Sequence, residues 1–195
     1  MSDTLSTLIV YGSVRRDRQG IGLARFIASS LSARNCAVDL IDPLESPLPL
    51  LDKMYKEYPK GEAPDVMESL ANKIKAADGV VIVSGEYNHG IPPALKNLLD
   101  HYLEEWFFKP CGIACYSAGR YGGVRAAMQL RMTLAELGMP TISSLLAVPT
   151  VSKIVTADGD LEEEWLHKPA GRFFDELMWW MDAAHAKKAK AGTPF

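Results

Sequence analysis

Five apolar runs, each followed by a stretch of helical spacing, constrain this chain more tightly than any other feature. "TLIVYGS" (7–13), "DGVVIVS" (78–84), "CGIACYS" (111–117) and "TISSLLAVPTV" (141–151) are nearly continuous in apolar residues, the pattern of strands buried on both faces. "AVDLID" (37–42) reads as a shorter strand. Between the runs the period changes. Leu23, Ile27 and Leu31 recur four residues apart within 20–34, and Leu95, Leu98, Leu99 and Tyr102 form a helical stripe. Pro92 and Pro93 suit the first turn of that second helix, where no intrahelical donor is needed. Further helices are expected over 66–77, over 122–137 with Gly138 and Pro140 as the stop, and from Leu161 to about Lys188. Alternation of this kind describes an open α/β sheet, largely parallel, with helices on both faces. Five strands in such a sheet most often take the order 2-1-3-4-5. No repeat or linker divides the chain, so 1–188 is expected to be one domain and 189–195 a flexible tail.

Charge and composition exclude some functions. The 195 residues are 48% apolar with a formal net charge of -3, enough for a sizeable core and unlike a nucleic-acid or membrane-surface binder. Neither a basic leader nor a membrane-length apolar run occurs, so no membrane insertion and a cytoplasmic setting are expected. Cys36, Cys111 and Cys115 have no metal-ligand spacing and read as reduced core thiols, so no metal is expected.

In a 2-1-3-4-5 sheet the loops after strands one, three and four meet at one carboxyl edge, and the polar clusters of this sequence fall in those loops. The first, "GSVRRDRQGIG" (12–22), opens with a glycine and runs into a helix N-terminus. Free amides and the helix dipole there favour a phosphate, to which Ser13 adds a hydroxyl and Arg15 and Arg18 add guanidinium forks. The spacing fits neither the Walker nor the Rossmann pattern, and a solvated basic loop with a serine cap remains the other reading. The second, "GEYNHGIPP" (85–93), places Glu86, Tyr87 and Asn88 at a strand end, too far upstream for Asn88 to cap the Pro92 helix well. These groups suit a polar heterocycle, with Tyr87 over an aromatic face. His89 reads as structural or rim-exposed. The third, "YSAGRYGGVRAA" (116–127), has glycines that either admit a flat ligand or let a helix sit close to the sheet.

Taken together, "GSVRRDRQGIG", "ADGVVIVSGEYNHGIPPALKNLLD" and "YSAGRYGGVRAAMQLRMTLAELG" resemble the NADPH-dependent FMN reductase family, whose members include quinone, chromate and azo-dye reductases. "PLPLLD" (47–52) is similar to that family's loop after strand two, and the resemblance runs from about Leu5 to Val151. It implies a flavodoxin-like three-layer sandwich, with FMN as cofactor and NADPH or NADH as co-substrate. It implies that Ser13, Arg15, Arg18, Gln19, Gly20 and Ile21 hold the FMN phosphate. Gly85, Glu86, Tyr87 and Asn88 would run beside the ribityl chain and isoalloxazine, and Ser117, Ala118 and Gly119 would meet the pyrimidine edge. Gly85 stands where the family usually has proline, and the first loop lacks the frequent Ser-x-Asn ending, which bears on Gln19.

The implied activity is hydride transfer from NAD(P)H through FMN to a quinone or a similar two-electron acceptor such as a flavin, an azo dye or chromate. No residue is assigned as a catalytic acid or base, Arg120 and Arg125 included. A homodimer or homotetramer is implied, with Leu50, Leu51, Met54, Tyr55 and Tyr58 of the long 43–65 loop as candidate interface groups. The alternatives are an electron carrier of the same fold or a binding protein that has lost the cofactor.

Overall fold

The computed structural model describes residues 4–160 and 162–195. Met1–Asp3, and the Leu161 start expected for the last helix, lie outside them. The elements run β1 (Ser6–Tyr11), α1 (Ile21–Ser32), β2 (Ala37–Ile41), α2 (Asp65–Ala76), β3 (Gly79–Gly85), α3 (Pro93–Asp100), β4 (Cys111–Tyr116), α4 (Val124–Glu136), β5 (Thr141–Val148) and α5 (His167–Ala191). The strands form one sheet of order β2-β1-β3-β4-β5, and every neighbouring pair is parallel.

Alternation along the strands builds two cores. Ile9, Tyr11, Val81 and Val83 point to one face, where α1 and α5 cover them with Leu23, Ile27, Phe173 and Phe174. Leu8, Val10, Val80 and Ile82 point to the other, against Leu70 and Ile74 of α2, Leu95 and Leu98 of α3, and Leu130 of α4. Each such side chain, once fully buried, is worth about 1.5–3 kcal/mol, so residues of β1 and β3 that are 0% exposed anchor the sheet centre. Cys111 and Cys115 share the second core two positions apart on one face, and burial pushes both thiols up to about 12. They are apolar filler at neutral pH. Trp106 is buried against its own sheet, with Nε1 donating to the Leu99 carbonyl at 3.2 Å. Among the described residues no helix is long and apolar enough to cross a membrane.

The final helix starts later than its apolar pattern suggests. A chain of tight turns precedes it, closed by the Glu162 amide donating to the Ile154 carbonyl at 2.8 Å and a single helical turn at Glu164–Leu166. Pro169 then falls in the first turn of α5, where a proline costs no hydrogen bond. At its other end α5 continues through residues 189–191, and the Phe195 ring lies 5.0 Å from that of Phe108.

Candidate functional site

The chain reverses direction across the sheet between β1 and β3, and a cleft of about 210 Å³ opens at their carboxyl ends. Its walls come from the three loops singled out by the sequence: Ser13, Arg15, Asp17 and Gln19 after β1, Gly85, Glu86 and Tyr87 after β3, and Tyr116, Ser117 and Ala118 after β4. Arg18, Gly20, Ile21, Asn88 and Gly119 are not on those walls.

In the first loop, the Ser13 hydroxyl is nearly buried and shares a hydrogen bond with the Tyr87 phenol at 2.8 Å. The Arg15 amide donates to the same Ser13 oxygen at 3.3 Å, and no other amide from Val14 to Gly20 has a partner among the described residues. Those donors face the start of α1, the arrangement that favours an anion. Arg15 is exposed and carries its guanidinium 5.8 Å from the centre of the Tyr87 ring. Arg18 instead turns inward, pairing with the buried Asp42 carboxylate after β2 and lying over Tyr11. Gln19 donates to Asp17 at 3.3 Å. Gly20 occupies the N-cap of α1, and Ile21 opens that helix, half-buried against the first core.

The second loop is a tight turn. Tyr87 and Gly90 exchange both main-chain hydrogen bonds, at 3.1 and 2.9 Å, and the two residues between them have positive φ, 51° at Asn88 and 66° at His89. Two consecutive left-handed residues are what such a turn demands, and asparagine and histidine tolerate that conformation better than most side chains. Asn88 therefore shapes the loop from an exposed position. Glu86 points away from the cleft, accepting hydrogen bonds from the Arg125 amide at 2.9 Å, the Ala126 amide at 3.3 Å and the Arg125 guanidinium at 3.2 Å. A carboxylate on the first amides of α4 satisfies orphan donors and complements the dipole.

In the third loop, Ser117 donates its hydroxyl to the Gly119 carbonyl at 2.8 Å and its amide to the Val148 carbonyl at 3.2 Å, so Ala118 supplies the unpartnered amide beside the cleft. Gly119 is exposed, with open space where a Cβ would be. Gly123 is a different case: at φ 79°, a Cβ there would lie 2.7 Å from the Tyr116 carbonyl oxygen, so this glycine serves the close seat of α4 on the sheet.

Sequence reasoning missed Tyr116. Its ring fills the space beneath the α1 start. A Cβ on Gly20 would lie 2.1 Å from the ring, and one on Gly85 would lie 3.2 Å from it. Gly20 is thus the residue that Tyr116 requires, while a side chain at Gly85 would only crowd the ring. The Tyr116 hydroxyl donates to Tyr11 at 3.3 Å, and burial raises both phenols above their ordinary value, so both stay protonated at neutral pH. The only local hint in the sequence was an aromatic at a strand end opposite two glycines.

Residues 5–153 match the family described as NADPH-dependent FMN reductase. The chain is 30% identical over 183 residues to a 2-hydroxy-1,4-benzoquinone reductase from Burkholderia sp, covering 91% of this chain and 96% of that protein. It is 35% identical over 157 residues to an NAD(P)H-dependent FMN reductase of Schizosaccharomyces pombe, covering 73% of each. Among solved structures it superposes on a flavoenzyme NAD(P)H:(acceptor) oxidoreductase from Paracoccus denitrificans with a TM-score of 0.74 at 21% identity, covering 93% of this chain and 99% of that one. At that identity the superposition speaks for the flavodoxin-like fold alone.

Proposed function

This chain belongs to the NADPH-dependent FMN reductase family, and from that premise we propose that it passes a hydride from NAD(P)H, by way of FMN held in the β1–β3 cleft, to a quinone. The observation that carries the assignment to this cleft is its lining. The loop into α1 brings unpartnered amides, the Ser13 hydroxyl and Arg15, and the loop after β4 brings Ser117 and Ala118. An anionic phosphate suits the first loop and a flat heterocycle the second.

When bound, FMN supplies the hydride chemistry, which no side chain here could perform. The chain's own residues bind and orient. The loop amides and Ser13 take the phosphate, with Arg15 adding charge from the rim. Ser13 can accept from the Tyr87 phenol and the Arg15 amide while donating to the phosphate, and the Tyr87 ring stands beside the cofactor. Glu86 fixes the second loop to α4, so the backbone at Gly85–Tyr87 meets the ring in a preset shape. The Ala118 amide, unlike that of Ser117, which donates to the Val148 carbonyl, is unpartnered among the described residues and would offset negative charge on the reduced ring. A quinone is favoured as acceptor by the activity for which the Burkholderia relative is named, and hydroquinone formation consumes the hydride and one solvent proton.

We further propose one domain over 1–188 and a homodimer or homotetramer. Leu50 is 86% exposed and Met132 70% exposed, and both are apolar groups a second copy could cover. Tyr55, by contrast, is turned inward on Tyr102 at 5.6 Å. A cytoplasmic setting agrees with three unpaired cysteines. Steady-state turnover tests the activity. NADPH oxidation that depends on both added FMN and 1,4-benzoquinone, with hydroquinone as product, is the expected result; no oxidation above the protein-free rate would reject it.

A further inference from the structure

The two tyrosines behind Ser13, Tyr11 and the cleft-wall residue Tyr116, have been given no role toward a ligand. Tyr11 ends β1 and Tyr116 ends β4, on strands separated in the sheet by β3, yet their hydroxyls meet at 3.3 Å. Ser13, two residues beyond Tyr11, bonds the Tyr87 phenol at 2.8 Å. Four hydroxyls therefore share one small volume at the start of α1. Each can donate and accept, so they partner one another, Tyr116 donating to Tyr11 and Ser13 pairing with Tyr87, while the buried Asp42 carboxylate is held by Arg18. A phosphate at the α1 start would offer a stronger acceptor than a neighbouring hydroxyl.

The two phenols differ in access. Tyr11 is 0% exposed, while Tyr116 is 7% exposed and forms part of the cleft wall. The room for the Tyr116 ring comes from the missing Cβ atom of Gly20. With any side chain at Gly20 the ring could not reach the α1 start.

We propose that Tyr116 is a phosphate-binding residue of the cofactor site, its phenolic O–H turning from Tyr11 to the FMN phosphate, and that Tyr11 is a positioning residue that then donates its own hydroxyl to the Tyr116 oxygen and holds it in place. The assignment rests on FMN occupying the cleft as described above.

The test is fluorescence-quenching titration of FMN and of riboflavin, which lacks the phosphate, into wild type, Tyr116→Phe and Tyr11→Phe. Loss of one charge-assisted hydrogen bond should weaken FMN binding roughly tenfold to a hundredfold in Tyr116→Phe. Riboflavin affinity should stay unchanged. Tyr11→Phe should show a smaller loss, again confined to FMN. The ³¹P resonance of bound FMN should also shift between wild type and Tyr116→Phe. Unchanged FMN affinity in Tyr116→Phe, or an equal loss for both flavins, would overturn the proposal even though the wild type binds FMN. A wild-type chain that takes up neither flavin would overturn the cofactor assignment and this proposal together.

Discussion

Glu86 shows how a residue can serve a site without facing it. Its side chain is 9% exposed and carries the charge that the first turn of α4 lacks. Removing that charge uncovers two helix amides and the Arg125 guanidinium, so Glu86→Ala should lower unfolding stability in urea by about 1–3 kcal/mol, with Glu86→Gln between it and wild type. An unchanged midpoint for Glu86→Ala would mean that solvent replaces the carboxylate at no cost. At this scale the sequence was legible in part. "EYNHG" announces a polar strand end, but whether each group points into the cleft or back into the protein depends on partners such as Arg125, which lies 39 positions away. Asn88 and His89 had a local signal that could have been read, since adjacent residues tolerant of positive φ before a glycine spell a two-residue turn. Tyr116 had almost none, because its neighbours Gly20 and Gly85 are contributed by other loops. The inward turn of Arg18 was equally hidden, for Asp42 reaches it from the end of β2.

Strands and helices were legible because burial on two faces leaves a continuous apolar run, and burial on one face leaves a stripe. Their ends were less so. The apolar spacing near Leu161 mimics the start of α5, whereas tertiary hydrogen bonding such as Glu162 to Ile154 holds the segment in turns until Pro169 comes within reach of a first helical turn. One junction between elements carries a titratable group. Lys109, just before β4, is buried and donates to the Ala77 carbonyl at 2.5 Å and the Lys75 carbonyl at 3.3 Å, satisfying the last carbonyls of α2. Burial, with the Lys188 charge beside it, lowers this amine from 10.5 to about 8. The folded chain thus holds the proton less tightly than the unfolded chain. The penalty is fully present below about pH 8 and fades as pH climbs toward 10.5, so stability of the wild type relative to Lys109→Met should improve across that window. Chemical denaturation of both proteins at pH 7, 9 and 10.5 measures it, and a constant difference would show that the amine keeps an ordinary affinity for its proton.

For the whole molecule, the strand order does the positioning. With β1 and β3 adjacent at the centre and helices leaving to opposite faces, their carboxyl ends diverge, and the loops after β1, β3 and β4 surround the gap. The order could be anticipated because five alternating units favour it and because the polar clusters fall only where that order would gather them. The acceptor and the oligomeric state had no such signal, since the one depends on the shape of the cleft mouth and the other on exposed groups such as Leu50 and Met132. The central claim is that this cleft holds a redox-active FMN, and one spectrum tests it. FMN is added to the purified protein, free flavin is removed, and NADPH is introduced without oxygen. The account predicts one flavin retained per chain and a visible absorption band that bleaches on addition of NADPH, with both lost when Ser13 and Tyr116 are replaced together. A protein that emerges colourless, or one whose retained flavin is indifferent to NADPH and NADH alike, would contradict it.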